Sequence, residues 1–173
     1  LLMEKGADLN VRDKDGKPIL MLAVMDNKTD FVELLIEKGA DINGKVNGGG
    51  QTALMAAADK GHTYAAKLLI ENGADLNITD KDGQTVLMFA AYGGDTDVCR
   101  LLIEKGAVLN IRSKFGWSPL RWAAMFDKID TAKLLIEKGA DVDVRDKDGV
   151  PILIDAIMNN KTDMAKLLIE KGA

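Results

Sequence analysis

The 173-residue sequence predicts an all-α repeat protein, an α-solenoid of stacked helix pairs, and two observations support this prediction. The first is a seven-residue segment, LLIEKGA at 101–107, which returns with at most one change at five other places in the chain. The second is its spacing, because the glycines of the six copies are 33 or 34 residues apart. A period of this length is typical of solenoids, in which each unit packs only against its neighbours.

The repeated segment divides the chain into units of one continuous domain over 1–173. A partial repeat at 1–10 precedes five fuller repeats, which we number 1 to 5: 11–43, 44–77, 78–110, 111–143 and 144–173. Neither end has the polar capping unit that a solenoid requires. We therefore expect the sequence to be a fragment of a longer array.

Each repeat is predicted to contain a turn and two short helices, and repeat 3 illustrates the pattern. Residues 80–83 combine aspartates with a glycine, which is typical of a tight turn. Thr85 is expected to cap a first helix that ends at the glycine pair 93–94. A second helix begins near Thr96, carries apolar residues at helical spacing and ends at Gly106. Helices this short are not stable alone, so stability must come from stacking.

Two sets of positions are predicted to adopt a left-handed backbone, because each contains only residue types that tolerate it. The first set lies between the two helices of each repeat: Asn27, Gly61, Gly94, Asp127 and Asn160. The second set lies in the turns: Gly16, Gly50, Gly83, Gly116 and Gly149.

The bulk properties argue against two classes of function. The net charge of -4 does not favour a general nucleic-acid binder, which needs a basic surface. No apolar run approaches the ~20 residues that a membrane-spanning helix needs. A protein that contacts neither nucleic acid nor membrane is therefore the expectation.

The residues that could support chemistry are few. Cys99 lies on an apolar helix stripe and is expected to be a core residue, and the single histidine, His62, is expected to be structural. The aspartate-rich turns resemble calcium loops only superficially, since they lack the downstream glutamate of an EF-hand. The sequence thus predicts no catalytic residues, no cofactor and no metal site.

The pattern of repeat 3 resembles the ankyrin repeat, and the resemblance extends over the whole chain. It rests on Asp80, Gly83, Thr85, Leu87, the pair Ala90-Ala91, the segment 101–107 and Asn110. The resemblance implies helix-turn-helix pairs joined by β-hairpin fingers, with a concave groove formed by the fingers and the first helices. It also implies a non-catalytic module that binds other proteins. The lysine- and methionine-rich repeats look bacterial, which implies action in the cytoplasm or export to a host.

One feature of that family is missing. In its Thr-Pro-Leu-His motif the histidine bonds the threonine hydroxyl and stiffens the start of the first helix. Here other residues replace this histidine: Met21, Met55, Met88, Arg121 and Ile154. We therefore expect this hydrogen bond to be lost in every repeat.

The aromatic residues distinguish repeats 3 and 4 from the others. Six of the eight rings fall within 89–126: Phe89, Tyr92, Phe115, Trp117, Trp122 and Phe126. By the family resemblance, all six would look into the groove. Exposed rings are typical of a binding hot spot because they bury a large area at little entropic cost. For Phe89 and Trp122, packing between repeats is an equally good interpretation.

We therefore predict a partner-binding surface in repeats 3 and 4, with basic residues beside the rings. Its members are Tyr92, Arg112, Lys114, Phe115, Trp117, Arg121, Trp122, Met125 and Phe126. The expected partner is a protein segment with an apolar anchor and some acidic character. The alternatives are a regulatory or targeting module of a larger enzyme or effector and, less favoured, a stacking platform for single-stranded nucleic acid. The sequence leaves the oligomeric state open.

Overall fold

The computed structural model describes residues 8–173, and this part of the chain forms ten helices in five pairs. The first helices of repeats 1 to 5 are α1 (Ile19–Met25), α3 (Ala53–Lys60), α5 (Val86–Gly93), α7 (Pro119–Met125) and α9 (Ile152–Met158). The second helices are α2 (Thr29–Glu37), α4 (Thr63–Glu71), α6 (Thr96–Glu104), α8 (Ile129–Glu137) and α10 (Thr162–Glu170). The predicted copy of the repeated segment at 1–7 lies outside the described residues.

The helices form two layers. Each helix packs on its partner within the repeat and on the equivalent helix of the next repeat. Pairs of alanines in the inner first helices, such as Ala90 and Ala91, are completely buried and let these helices approach closely. In the second layer, the second leucine of each described copy of the repeated segment is buried: Leu35, Leu69, Leu102, Leu135 and Leu168. The all-helical repeat solenoid predicted from the sequence is confirmed.

The turns between paired helices have the predicted left-handed backbone. The residue two positions before each second helix has φ between 52° and 80° in every repeat, including Asn27 at 52° and Gly94 at 80°. A left-handed residue ends the first helix and reverses the chain, which lets the second helix begin two residues later. The prediction for this set of positions is confirmed.

The prediction that Thr85 caps α5 through its side chain is wrong. Thr85 lies at the N-cap position, but its hydroxyl is buried and has no hydrogen-bond partner among residues 8–173. The equivalent hydroxyls do cap their helices, since Thr52 accepts from the Met55 N–H at 3.3 Å and Ser118 from the Arg121 N–H at 3.2 Å. Repeat 3 therefore starts its first helix with an unpaired hydroxyl.

The fingers are tight hairpins held by backbone hydrogen bonds, and in several repeats by side chains as well. Within repeat 3 the Asp80 carboxylate accepts the backbone N–H groups of Asp82 and Gln84, both at 2.9 Å. Ser113 holds the finger of repeat 4 in the same way with its hydroxyl, at 3.3 Å from the N atoms of Phe115 and Trp117. These bonds explain the aspartates of the turns as structural residues. In the described residues, no group of three or more side chains could hold a metal ion.

Adjacent repeats are linked by asparagine side chains. The Asn43 Oδ1 atom accepts the Asp75 N–H at 2.8 Å, and the Asn110 Oδ1 atom accepts the Asp141 N–H at 3.1 Å. Asn10 bonds the partial repeat to repeat 1, and Asn77 bonds repeat 2 to repeat 3, in the same way. Successive fingers are also bonded through their backbones. We call the side of the molecule that presents the fingers and first helices the groove face.

Candidate functional site

Five of the predicted rings form one continuous cluster on the groove face, which we call the aromatic cluster. Trp122 is at its centre, with its ring centroid 4.9 Å from that of Trp117 and 5.7 Å from that of Tyr92. Phe126 stacks on Trp122 at 5.8 Å and meets the edge of Tyr92 at 4.4 Å. Phe115 extends the cluster from Trp117 at 5.9 Å. The cluster thus joins a finger to the first helices of two repeats.

The cluster is only partly covered by the rest of the protein. Phe115 and Phe126 are each 41% exposed and Tyr92 is 37% exposed. Trp117 and Trp122 are half-buried. Of the three remaining rings, Phe31 and Tyr64 are exposed on second helices, Phe89 is half-buried, and none takes part in these ring contacts. Three of the five exposed rings therefore lie together on the groove face.

Backbone hydrogen bonds position the finger that carries Phe115 and Trp117. The Ser113 hydroxyl bonds both of their N–H groups, and the Phe115 carbonyl accepts the Lys147 N–H at 3.0 Å. The Lys114 N–H donates to the Asp82 carbonyl at 2.8 Å. Both neighbouring fingers thus restrain the finger of repeat 4, so that its rings are presented from a supported hairpin.

A groove of about 260 Å³ opens beside the cluster. Trp122 from α7 and Phe89 and Tyr92 from α5 form aromatic walls, and the buried side chain of Met88 lines the groove beneath them. Its polar lining residues are Asp59, Gln84 and Tyr92. Phe89 and Trp122 also pack against the hydrophobic core, which is the packing role that the sequence allowed for these two rings.

Arg121 corrects the predicted surface, because it is buried and not available to a partner. Its side chain is 1% exposed, and its guanidinium contacts the carboxylates of Asp146 at 3.0 Å and Asp155 at 2.5 Å. It also donates to the Val150 carbonyl at 2.8 Å. Arg121 occupies the position of the buried methionines of repeats 1 to 3, and a charge there requires partners. Both carboxylates come from repeat 5, the repeat that follows Arg121 in the stack, and nothing in the segment around Arg121 indicates them.

We call Arg121, Asp146 and Asp155 the ionic cluster. The pKa values of its two carboxylates are shifted in opposite directions. The hydrogen bond from the Val150 N–H is the main cause that lowers the pKa of Asp146, and Arg121 adds to it. Burial raises the pKa of Asp155, and the Arg121 guanidinium offsets this effect in part. The cluster therefore holds repeats 4 and 5 together at a desolvation cost, as buried ion pairs generally do.

The other predicted basic and apolar residues differ in how freely they face solvent. Arg112 is exposed, yet its guanidinium lies 3.6 Å from the Asp141 carboxylate. Lys114 is exposed and has no ion-pair partner among residues 8–173. Met125 is half-buried, and its carbonyl accepts a hydrogen bond from the Lys161 ammonium. Lys114 is thus the predicted basic residue that keeps its charge most available.

Sequence reasoning missed Asp59 and Gln84 as residues of the groove. Asp59 belongs to repeat 2, and its polar character is typical of an ordinary solvated helix end. The signal that could have found it is the repeat spacing, since Asp59 occupies the position of Tyr92 one repeat earlier. A residue one repeat away in sequence is a direct neighbour in a stacked array.

The two residues with reactive side chains have structural contacts. The His62 Nδ1 atom donates to the Val24 carbonyl at 2.8 Å and so bonds the end of α1 to the start of α4. Cys99 is completely buried in α6, and desolvation raises the pKa of its thiol to about 12. These surroundings do not activate either side chain for catalysis.

Comparison with known proteins places the chain in a family. A family model described as ankyrin repeats (3 copies) matches residues 1–80, 66–146 and 87–173, which together cover the entire sequence. No curated protein is similar enough to the chain to count as a match. Within residues 8–173, no helix is long and apolar enough to cross a membrane. The chain therefore belongs to the ankyrin-repeat family, whose members are generally non-catalytic modules that bind other proteins.

Proposed function

We propose that this ankyrin-repeat domain binds a partner protein through the aromatic cluster on its groove face. The observation that supports the proposal most strongly is the cluster itself, with five touching rings that leave three of their number more than a third exposed. Rings held in this way lose little conformational freedom when a partner covers them. Isolated exposed rings would not form such a patch.

The proposed ligand is a protein segment with an apolar anchor that packs on Trp117 and Phe126. Lys114 is the exposed basic residue beside Phe115, and it would attract an acidic side chain of the same segment. The contribution of Arg112 is smaller because Asp141 already lies near its guanidinium. Because Arg121 is buried, its positive charge does not contribute to the proposed contact.

Two alternative functions can be compared with this proposal. A stacking platform for single-stranded nucleic acid would need several exposed cations along the rings, and Lys114 alone does not supply them. A role as the regulatory or targeting module of a larger enzyme or effector is compatible with the proposed contact. The expected bacterial origin and the expected compartment stay predictions.

The test is a capture experiment from cell lysate with two matched double variants. Phe115→Ala with Trp117→Ala removes two rings of the cluster, whereas Phe31→Ala with Tyr64→Ala removes two exposed rings elsewhere. We expect a partner protein to be captured by the wild type and the second variant and lost with the first. Thermal melts of all three proteins check that the fold is kept. Equal capture by both double variants would contradict the proposal.

A further inference from the structure

The groove beside the aromatic cluster combines rings with a carboxylate, and this combination indicates a cationic ligand. We propose that the groove binds the ammonium group of a lysine side chain from the partner protein. This inference rests on the proposed function, since the lysine belongs to the segment that covers the cluster. The groove of about 260 Å³ is far larger than the ~30 Å³ that one water molecule occupies, so a side chain can enter it.

The lining of the groove includes three aromatic rings, and aromatic rings can attract a cation. The rings of Tyr92 and Trp122 are nearly perpendicular, at 86°, with centroids 5.7 Å apart, and Phe89 adds a third ring. A cation within about 6 Å of ring faces is attracted by their negative quadrupoles, most strongly by tryptophan. The thioether of Met88 contributes further polarisable surface to the groove. A lysine stem would pack on these same rings along its methylene groups.

Two polar side chains in the groove lining suit a primary ammonium. Asp59 supplies a carboxylate and Gln84 an amide oxygen, and both accept hydrogen bonds from N–H donors. The one ion pair of Asp59 within residues 8–173 is with Lys60 at 3.8 Å, and both side chains are exposed. Such a pair is weak and leaves the carboxylate available. The three N–H donors of an ammonium match three acceptor atoms here, the two carboxylate oxygens of Asp59 and the amide oxygen of Gln84.

The carboxylate is specific to this groove. The residues that occupy the position of Asp59 in the other described repeats are Met25, Tyr92, Met125 and Met158. Among the described repeats, an acidic residue at this position therefore occurs only in repeat 2, where the rings of repeats 3 and 4 line the same groove.

The test uses n-butylammonium chloride as the probe for the lysine side chain, at constant ionic strength, with 1-butanol as its neutral counterpart. The readout is the indole N–H signal of Trp122 in ¹H–¹⁵N spectra, assigned with Trp117→Phe. We expect saturable shifts with butylammonium and none with butanol. We expect Asp59→Asn to weaken this binding by about tenfold, since it removes a charged hydrogen-bond acceptor.

The matched control is Asp26→Asn, which removes another exposed aspartate near the end of a first helix, one that pairs with Lys28 at 3.9 Å. This variant should bind butylammonium like the wild type. Equal shifts with butanol, or an Asp59→Asn variant that binds as well as the wild type, would overturn the proposal. Tighter binding of tetramethylammonium than of butylammonium would overturn the assignment to an unmodified lysine.

The result of the butylammonium titration can be distinguished from the result of the capture experiment. Loss of the cation response together with normal partner capture would reject the lysine site and leave the aromatic contact intact. A normal cation response with no effect of the Phe115 and Trp117 double variant on capture would reject the aromatic contact instead.

Discussion

The turn glycines of repeats 1 to 4 are required for two separate reasons, and Gly116 shows both. Its φ of 76° lies in the left-handed region, where a Cβ atom is strained. A Cβ atom there would also come within 2.7 Å of the Lys147 N atom, because the next finger packs directly against it. Gly149, in the last described finger, has a similar φ of 81°, but a Cβ atom there would meet no heavy atom of residues 8–173 within 4 Å. The close packing of the next finger is therefore the second reason why glycine is required at position 116.

At the residue scale, we predict that Gly116→Ala destabilises the protein more than Gly149→Ala does. Both substitutions carry the left-handed strain of about 1 kcal/mol, and only Gly116→Ala adds a clash with backbone atoms of about 1–3 kcal/mol. Urea denaturation of the two variants measures the difference directly. Equal losses of unfolding free energy would mean that the fingers separate easily and do not support one another.

At the scale of helices and fingers, the junction between repeats 4 and 5 differs from the others. The first three repeats place a buried methionine at the position where α7 has Arg121, and that arginine bonds to the finger and first helix of repeat 5. An ionic cluster at a buried junction depends on all its members, because a single charge left behind is costly. This junction thus adds a polar network to the apolar packing that it shares with the others.

We predict that Arg121→Met destabilises the protein by about 2 kcal/mol, although Met21 shows that methionine fits this position in repeat 1. The reason is that Asp155, partly buried, loses its counter-charge. Adding Asp155→Leu, which copies Leu22 of repeat 1, should recover most of the loss. Chemical denaturation of the single and double variants forms the required cycle. Additive losses in the double variant would contradict a coupled ionic cluster.

The repeat spacing made much of this architecture predictable, because each repeat uses the same local signals. The glycines and asparagines at fixed intervals correctly indicated where the first helices end, as at Gly94 with its φ of 80°. The burial of Arg121 was not predictable, since its partners Asp146 and Asp155 belong to the following repeat. Asp59 was missed for a related reason, because its place in the groove depends on rings from repeats 3 and 4.

At the scale of the whole molecule, stability and binding are distributed differently. The stacked leucines and alanines recur at every described junction, so many repeats share the stability of the array. The aromatic cluster occurs once, across repeats 3 and 4, and breaks the symmetry of the repeat. A change in the cluster should therefore affect partner binding much more than folding.

Binding of the partner by the aromatic cluster is tested by a titration of the captured partner with the Trp117→Ala variant. We predict a loss of about 2 kcal/mol or more, a roughly 30-fold weaker Kd, with a melting temperature close to that of the wild type. Tyr64→Ala, which removes an exposed ring from α4, should leave the Kd unchanged. An unchanged Kd for Trp117→Ala, or equal losses for the two variants, would contradict the account.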